Sequence, residues 1–101
     1  MPITNQQIHN EIMNQVNSEG GPYSSWYVGI ASDPRQRLFG DHSVPRENSW
    51  WIFREAFSEE DARITETFLL ENYGFDGGSS GGDSNTRYVY AYKKIPGVTR
   101  Q

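Results

Sequence analysis

Apolar positions change rhythm along this chain, and each change marks an element. From Ile3 to Val16 the spacing is helical: Ile8, Ile12, Met13 and Val16 form a narrow stripe among glutamines, asparagines and a glutamate. Thr4 fits an N-cap, Gln7 a capping box and Ile3 a staple against Ile8, so a helix is expected from about Asn5 to Asn17, ended by Gly20-Gly21-Pro22. From Ser24 to Ala31 the period falls to two, with Trp26, Val28 and Ile30 on one side of a strand and Tyr27, Gly29 and Ala31 on the other. Asp33-Pro34 then opens a short helix, aspartate as cap and proline in the first turn, running to about Phe39 ahead of Gly40. Residues 43–49 read as a loop and Trp50 to Phe57 as a second, aromatic strand. Ser58 caps a third helix with Glu59, Glu60 and Asp61 at the positive end of its dipole. That helix is expected to reach Asn72 or Tyr73, stop at Gly74 and turn Ala62, Phe68, Leu69 and Tyr73 to the core. The glycine- and serine-rich run Gly77–Gly82 lacks the Gly-Lys-Ser/Thr ending of a phosphate-binding loop and reads as a flexible flap. Arg87 to Lys93 is a third strand with Tyr88, Tyr90 and Tyr92 on one face, followed by an exposed tail over 94–101.

The order α-β-α-β-α-β describes an α/β (α+β) fold with a small three-stranded sheet flanked by helices, and strict alternation suggests parallel strand pairs. The 101 residues suffice for one domain: an N-terminal helix and turn over 1–22, a core over 23–93 and the tail. The absence of cysteine excludes disulfides and Cys-ligated zinc. No apolar run approaches a membrane span and the N-terminus is polar, so a cytoplasmic protein with no membrane partner is expected. A net charge of −4 argues mildly against a dedicated nucleic-acid binder. The charge is segregated, however. Residues 55–86 hold eight carboxylates against one arginine, whereas residues 87–101 hold four basic side chains and no acid. A phosphate backbone suits the basic parts and a divalent cation the acidic one.

Within this frame, Tyr27-Val28-Gly29, then Asp33-Pro34-Arg35-Gln36-Arg37-Leu38, then His42, resembles the second half of a GIY-YIG nuclease core, and Ala62-Arg63-Ile64-Thr65-Glu66 resembles that family's Ala-x-x-x-Glu on a later helix. The likeness spans roughly Trp26 to Phe75. It implies a GIY-YIG-like sheet and a metal-dependent endonuclease hydrolysing DNA phosphodiester bonds. Tyr27 would act near the attacking water, Arg37 on the phosphate, and Glu66 would hold Mg²⁺ or Mn²⁺. Gly29, His42 and Asn85 complete the likeness as further candidates. Phosphodiester cleavage needs these parts: an activated water, neutralised phosphoryl oxygens and help for the leaving alkoxide. One departure stands out. The family's GIY strand, which precedes YIG by about ten residues and pairs with it, has no counterpart there, since Gly21-Pro22-Tyr23 lies too close. The Tyr-rich strand 87–93 is the expected replacement neighbour, and Tyr23 or one of Tyr88, Tyr90 and Tyr92 the substitute for the missing tyrosine.

The residues also admit plainer readings. Tyr27 fits a half-buried strand tyrosine, Arg37 an ion pair with Asp33 or Asp41 four residues away, and Glu66 a solvated carboxylate on an acidic helix. Trp50-Trp51 fits core and surface better than a base-stacking platform. The alternative function is a catalytically degenerate module of the same fold that binds nucleic acid or a protein without cutting, with no small-molecule cofactor.

Overall fold

The computed structural model describes residues 2–46, 50–77 and 86–99. Helix α1 spans Asn5–Glu19, two residues beyond the expected end, and starts where Thr4 Oγ1 accepts the Gln7 amide at 3.2 Å. Its stripe Ile8, Ile12 and Val16 is wholly buried. Strand β1 is Trp26–Ala31. The Asp33 cap forms, its carboxylate accepting the Gln36 amide at 3.1 Å, but the following turn is wider than an α-helix: Gln36–Asp41 is π-helical and runs through Gly40. Strand β2 is Trp51–Glu55. Helix α2 spans Glu59–Tyr73, capped by Ser58 Oγ accepting the Asp61 amide at 3.1 Å and closed by Gly74 in the left-handed region at φ 79°. Strand β3 is Tyr88–Lys93.

The strand order is β1-β3-β2, and both pairings are antiparallel, which corrects the expectation of parallel pairs. Alternation of helix and strand constrains sequence order but not direction. Here the long excursion from β2 through α2 returns the chain so that β3 enters between its two neighbours, running against both. The Tyr-rich strand does lie beside the Tyr-Val-Gly strand.

The two sheet faces differ sharply. On one, Val28, Ile30, Val89, Ala91 and Ile52 pack with Trp26 under the α1 stripe and under Ala62 and Leu69 of α2. On the other, Leu38 and Val44 of the π-helical segment and its sequel cover Ala31, Tyr90 and Tyr92, with Tyr27, Phe39, Trp51 and Phe53 half-buried around them. The register sets three cross-strand rows on this second face: Tyr27–Tyr92–Trp51, Gly29–Tyr90–Phe53 and Ala31–Tyr88–Glu55.

One expectation of burial is corrected. Phe68 is 47% exposed rather than core. At about 100° per residue it lies roughly 120° from Ala62 and Leu69 on the helix, and its ring turns sideways to meet His9 of α1 at 5.3 Å. The segment after β3 is exposed over 96–98 and tied down at its start: the Lys94 amide donates to Ser25 O, its ammonium to Asp76, and a turn closes over 95–99. Most of the Gly-Ser flap, together with Asn85, lies outside the described residues.

Candidate functional site

The second face is built around a close approach that only glycine permits. A Cβ at position 29 would lie 2.6 Å from Tyr90 Oη and 2.7 Å from its Cζ, so the glycine of Tyr-Val-Gly exists to let the Tyr90 ring lie across β1. The ring is then locked from the far side. His42, buried at the end of the π-helical segment, places Nε2 2.9 Å from Tyr90 Oη and Nδ1 3.1 Å from Tyr92 Oη. A neutral imidazole has one donor and one acceptor nitrogen, so it satisfies one phenol as donor and the other as acceptor. Both ring nitrogens of His42 are thus engaged by phenols.

Tyr27 stands in front of this lock. Its ring is 5.2 Å from that of Tyr92 and 4.9 Å from that of His42, half-buried, and its hydroxyl makes no hydrogen bond among the described residues. Burial raises the Tyr27 hydroxyl above its ordinary value. The Arg37 guanidinium opposes this, and the Glu66 and Asp76 carboxylates add to it. Tyr90 is also raised by burial and feels both Arg37 and Glu66. Thus a cation from the π-helical segment and a carboxylate from α2 act on the same two phenols, although 29 residues separate them in sequence.

Each of these charged groups is left incompletely satisfied. Arg37 Nε lies 3.2 Å from Asp41 Oδ2, the ion pair the spacing allowed, yet it is shut from solvent and off the hydrogen-bonding direction. Glu66 is 4% exposed, so the reading of a solvated carboxylate is set aside. Its place on α2 explains this: at about 100° per residue it lies about 40° from Ala62 and about 60° from Leu69, at the margin of the buried side of the helix. Burial pushes its carboxyl up to about 7, with Arg63 pulling weakly the other way. Its Oε2 has no hydrogen-bond partner among the described residues. Buried polar atoms in native proteins are nearly always paired. Among the described residues only three buried side-chain polar atoms lack a hydrogen bond, and two of them are Arg37 Nε and Glu66 Oε2.

Asp76 was not singled out from the sequence. It forms an isolated parallel bridge with Tyr27 along the outer edge of β1, its backbone bonded to Val28 N and Trp26 O at 2.9 Å each. Its carboxylate accepts from Lys94 Nζ at 2.8 Å and bears electrostatically on Tyr27 and Tyr92. The only sequence signal was a lone aspartate after Gly74-Phe75. Tyr23, by contrast, does not join the site. It packs with Tyr73 and Phe75 against the aliphatic core on the other face, its hydroxyl donating to Asn17 Oδ1 at 3.3 Å. The substitute tyrosines nearest Tyr27 are Tyr90 and Tyr92. Asn85 is outside the described residues.

A divalent cation fits this donor set in a limited way. Glu66 Oε2 is an unshared carboxylate oxygen, and a hard cation that keeps most of its waters needs one or two such ligands. No group of three or more His, Cys, Asp or Glu side chains forms a metal cluster among the described residues. No helix among them is long and apolar enough to cross a membrane. Set against protein-family models, curated proteins and solved structures, the chain matches none.

Proposed function

We propose that the tyrosine face is the site of a GIY-YIG-like endonuclease that hydrolyses DNA phosphodiester bonds. The observation that supports this most is the pair of unsatisfied buried atoms, Arg37 Nε and Glu66 Oε2, whose charges both act on Tyr27. The Arg37 side chain as a whole is partly exposed, and a guanidinium is a fitting partner for a phosphoryl oxygen. Buried groups with displaced pKa values gathered beside an open hydroxyl are a common mark of functional sites. In this mechanism Arg37 binds the scissile phosphate and neutralises charge as it develops on the equatorial oxygens. Tyr27, a phenol at neutral pH, orients the attacking water through its hydroxyl, and the proton the water loses passes to bulk solvent. Tyr90, Tyr92 and His42 hold the Tyr27 ring in place. Glu66 would hold Mg²⁺ or Mn²⁺, which when bound supplies Lewis-acid stabilisation of the leaving oxygen.

Nicking of supercoiled plasmid with Mg²⁺ or Mn²⁺ tests this. The wild type should nick, and Glu66→Gln and Tyr27→Phe should each lose activity by at least about a hundredfold. Equal activity in wild type and Glu66→Gln would reject the metal role. The second reading, a binding module of the same fold that does not cleave, is favoured by the upward shift of all three phenols, which makes phenolate scarce at neutral pH. It predicts DNA binding with no nicking at any divalent concentration.

A further inference from the structure

The tyrosine face continues past the candidate site onto β2 as a ridge of rings. Phe39 meets Trp51 edge-on at 5.0 Å, and Trp51 stacks on Phe53 at 5.9 Å with planes 11° apart. All three rings are half-buried. A guanidinium lies over each end of the ridge: Arg46 Cζ is 4.6 Å from the Phe39 centroid and Arg35 Cζ 5.2 Å from the Phe53 centroid. Both arginines are exposed. Of the six described arginines, the other four each face a carboxylate: Arg37 with Asp41, Arg54 with Glu11, Arg63 with Glu59, Arg87 with Glu55. Arg35 and Arg46 have no such partner among the described residues. In a chain of net charge −4, the two guanidiniums that face no carboxylate among the described residues thus sit together with the aromatic ridge, and the row Tyr27–Tyr92–Trp51 joins that ridge to the candidate site.

We infer that this ridge seats unpaired nucleotides of a nucleic-acid strand, bases against Phe39, Trp51 and Phe53 and phosphates on Arg35 and Arg46. Every base has a π-face, and unpaired bases offer it to aromatic side chains, whereas a duplex keeps it inside its own stack. Cations without carboxylate partners provide the complementary charge for the phosphates and select against an anionic protein surface only through the rings. The inference rests on the nuclease-like reading for its biological setting, but not for its chemistry.

Fluorescence anisotropy with a labelled oligothymidylate of about twelve nucleotides, in EDTA, reads this without cleavage. The wild type should bind, and the Arg35→Gln/Arg46→Gln double variant at least about tenfold more weakly. Loss of two phosphate contacts should flatten the slope of log affinity against log salt by about 1.4. Trp51→Leu, with folding checked by its thermal transition, should weaken binding about fivefold or more. A duplex of the same length and a polyglutamate peptide should bind more weakly than the single strand. No binding by the wild type, equal binding by the double variant, or preference for the duplex or the peptide would each overturn the inference. Binding that behaves as expected in a protein that never nicks removes the endonuclease and leaves the ridge standing. Nicking that is insensitive to both arginines, with no oligomer binding, does the reverse.

Discussion

The two faces of one three-stranded sheet are put to different uses. The face under α1 and α2 is filled by Ile8, Ile12, Val16, Val28, Ile30, Leu69, Val89 and Ala91, which have no polar side-chain atoms to satisfy and pack by shape alone. The opposite face is filled by tyrosines around a histidine, and the charges of Arg37 and of Glu66 on α2 bear electrostatically on two of its phenols. The two charged groups that bear on it keep buried atoms, Arg37 Nε and Glu66 Oε2, without a hydrogen bond among the described residues. Stability is thus expected to reside mainly in the first face and chemistry in the second.

The largest effect should come from the aliphatic side. Trp26→Ala removes a fully buried ring, and denaturant unfolding should show a loss of about 3–5 kcal/mol, enough to threaten a domain of this size. On the tyrosine side, Tyr90→Phe leaves His42 Nε2 buried without its phenol and should cost about 1–3 kcal/mol. Gly29→Ala should cost a similar about 1–3 kcal/mol, because the Tyr90 ring is held by His42 and cannot swing clear of the new methyl. It should also abolish nicking, whereas a cavity in the aliphatic core should lower Tm before it lowers activity.

Glu66 sharpens the comparison through pH. Its carboxyl titrates near 7 when folded and near its ordinary 4.5 when unfolded. Between these values the folded state holds a proton that the unfolded state has released, so stability falls as pH rises through this window. The cost is absent below about pH 4.5 and complete above about pH 7. It amounts to at most about 3 kcal/mol. Glu66→Gln should remove this dependence, so the difference in unfolding free energy between wild type and variant should shift in the variant's favour from pH 5 to pH 8. A difference that stays constant would contradict the burial of Glu66. The smallest stability effect is expected for Tyr27→Phe, within about 0.5 kcal/mol, since that hydroxyl has no partner to lose. A large stability loss there would mean that the hydroxyl is structural.

Local chemistry explains which parts were legible in the chain. The caps at Thr4, Asp33 and Ser58 and the stop at Gly74 depend on residues within one turn of one another, and all four form. The alternation in β1 and β3 separates the two faces correctly because its period matches the pleat. Strand direction was not legible, because it is decided by how the excursion through α2 folds back and not by any local preference. Nor was the outward turn of Phe68, whose neighbour His9 lies 59 residues away in sequence. For the candidate site, the motifs singled out Tyr27, Arg37 and Glu66. The roles of His42 and Asp76 were not, since each depends on which strand lies alongside. Tyr23 misleads for the same reason: closeness in sequence to Tyr27 says nothing about which face it joins.

The most direct measurement of the central claim, that Tyr27, Arg37 and Glu66 share one site, is Mn²⁺-induced paramagnetic broadening of the protein's NMR spectrum. Bound at Glu66, Mn²⁺ should broaden the ring resonances of Tyr27 and Tyr90 and the Arg37 side-chain signals first, and lose this pattern in Glu66→Gln. Broadening confined to the acidic start of α2 around Glu59–Asp61, or unchanged by Glu66→Gln, would contradict the account.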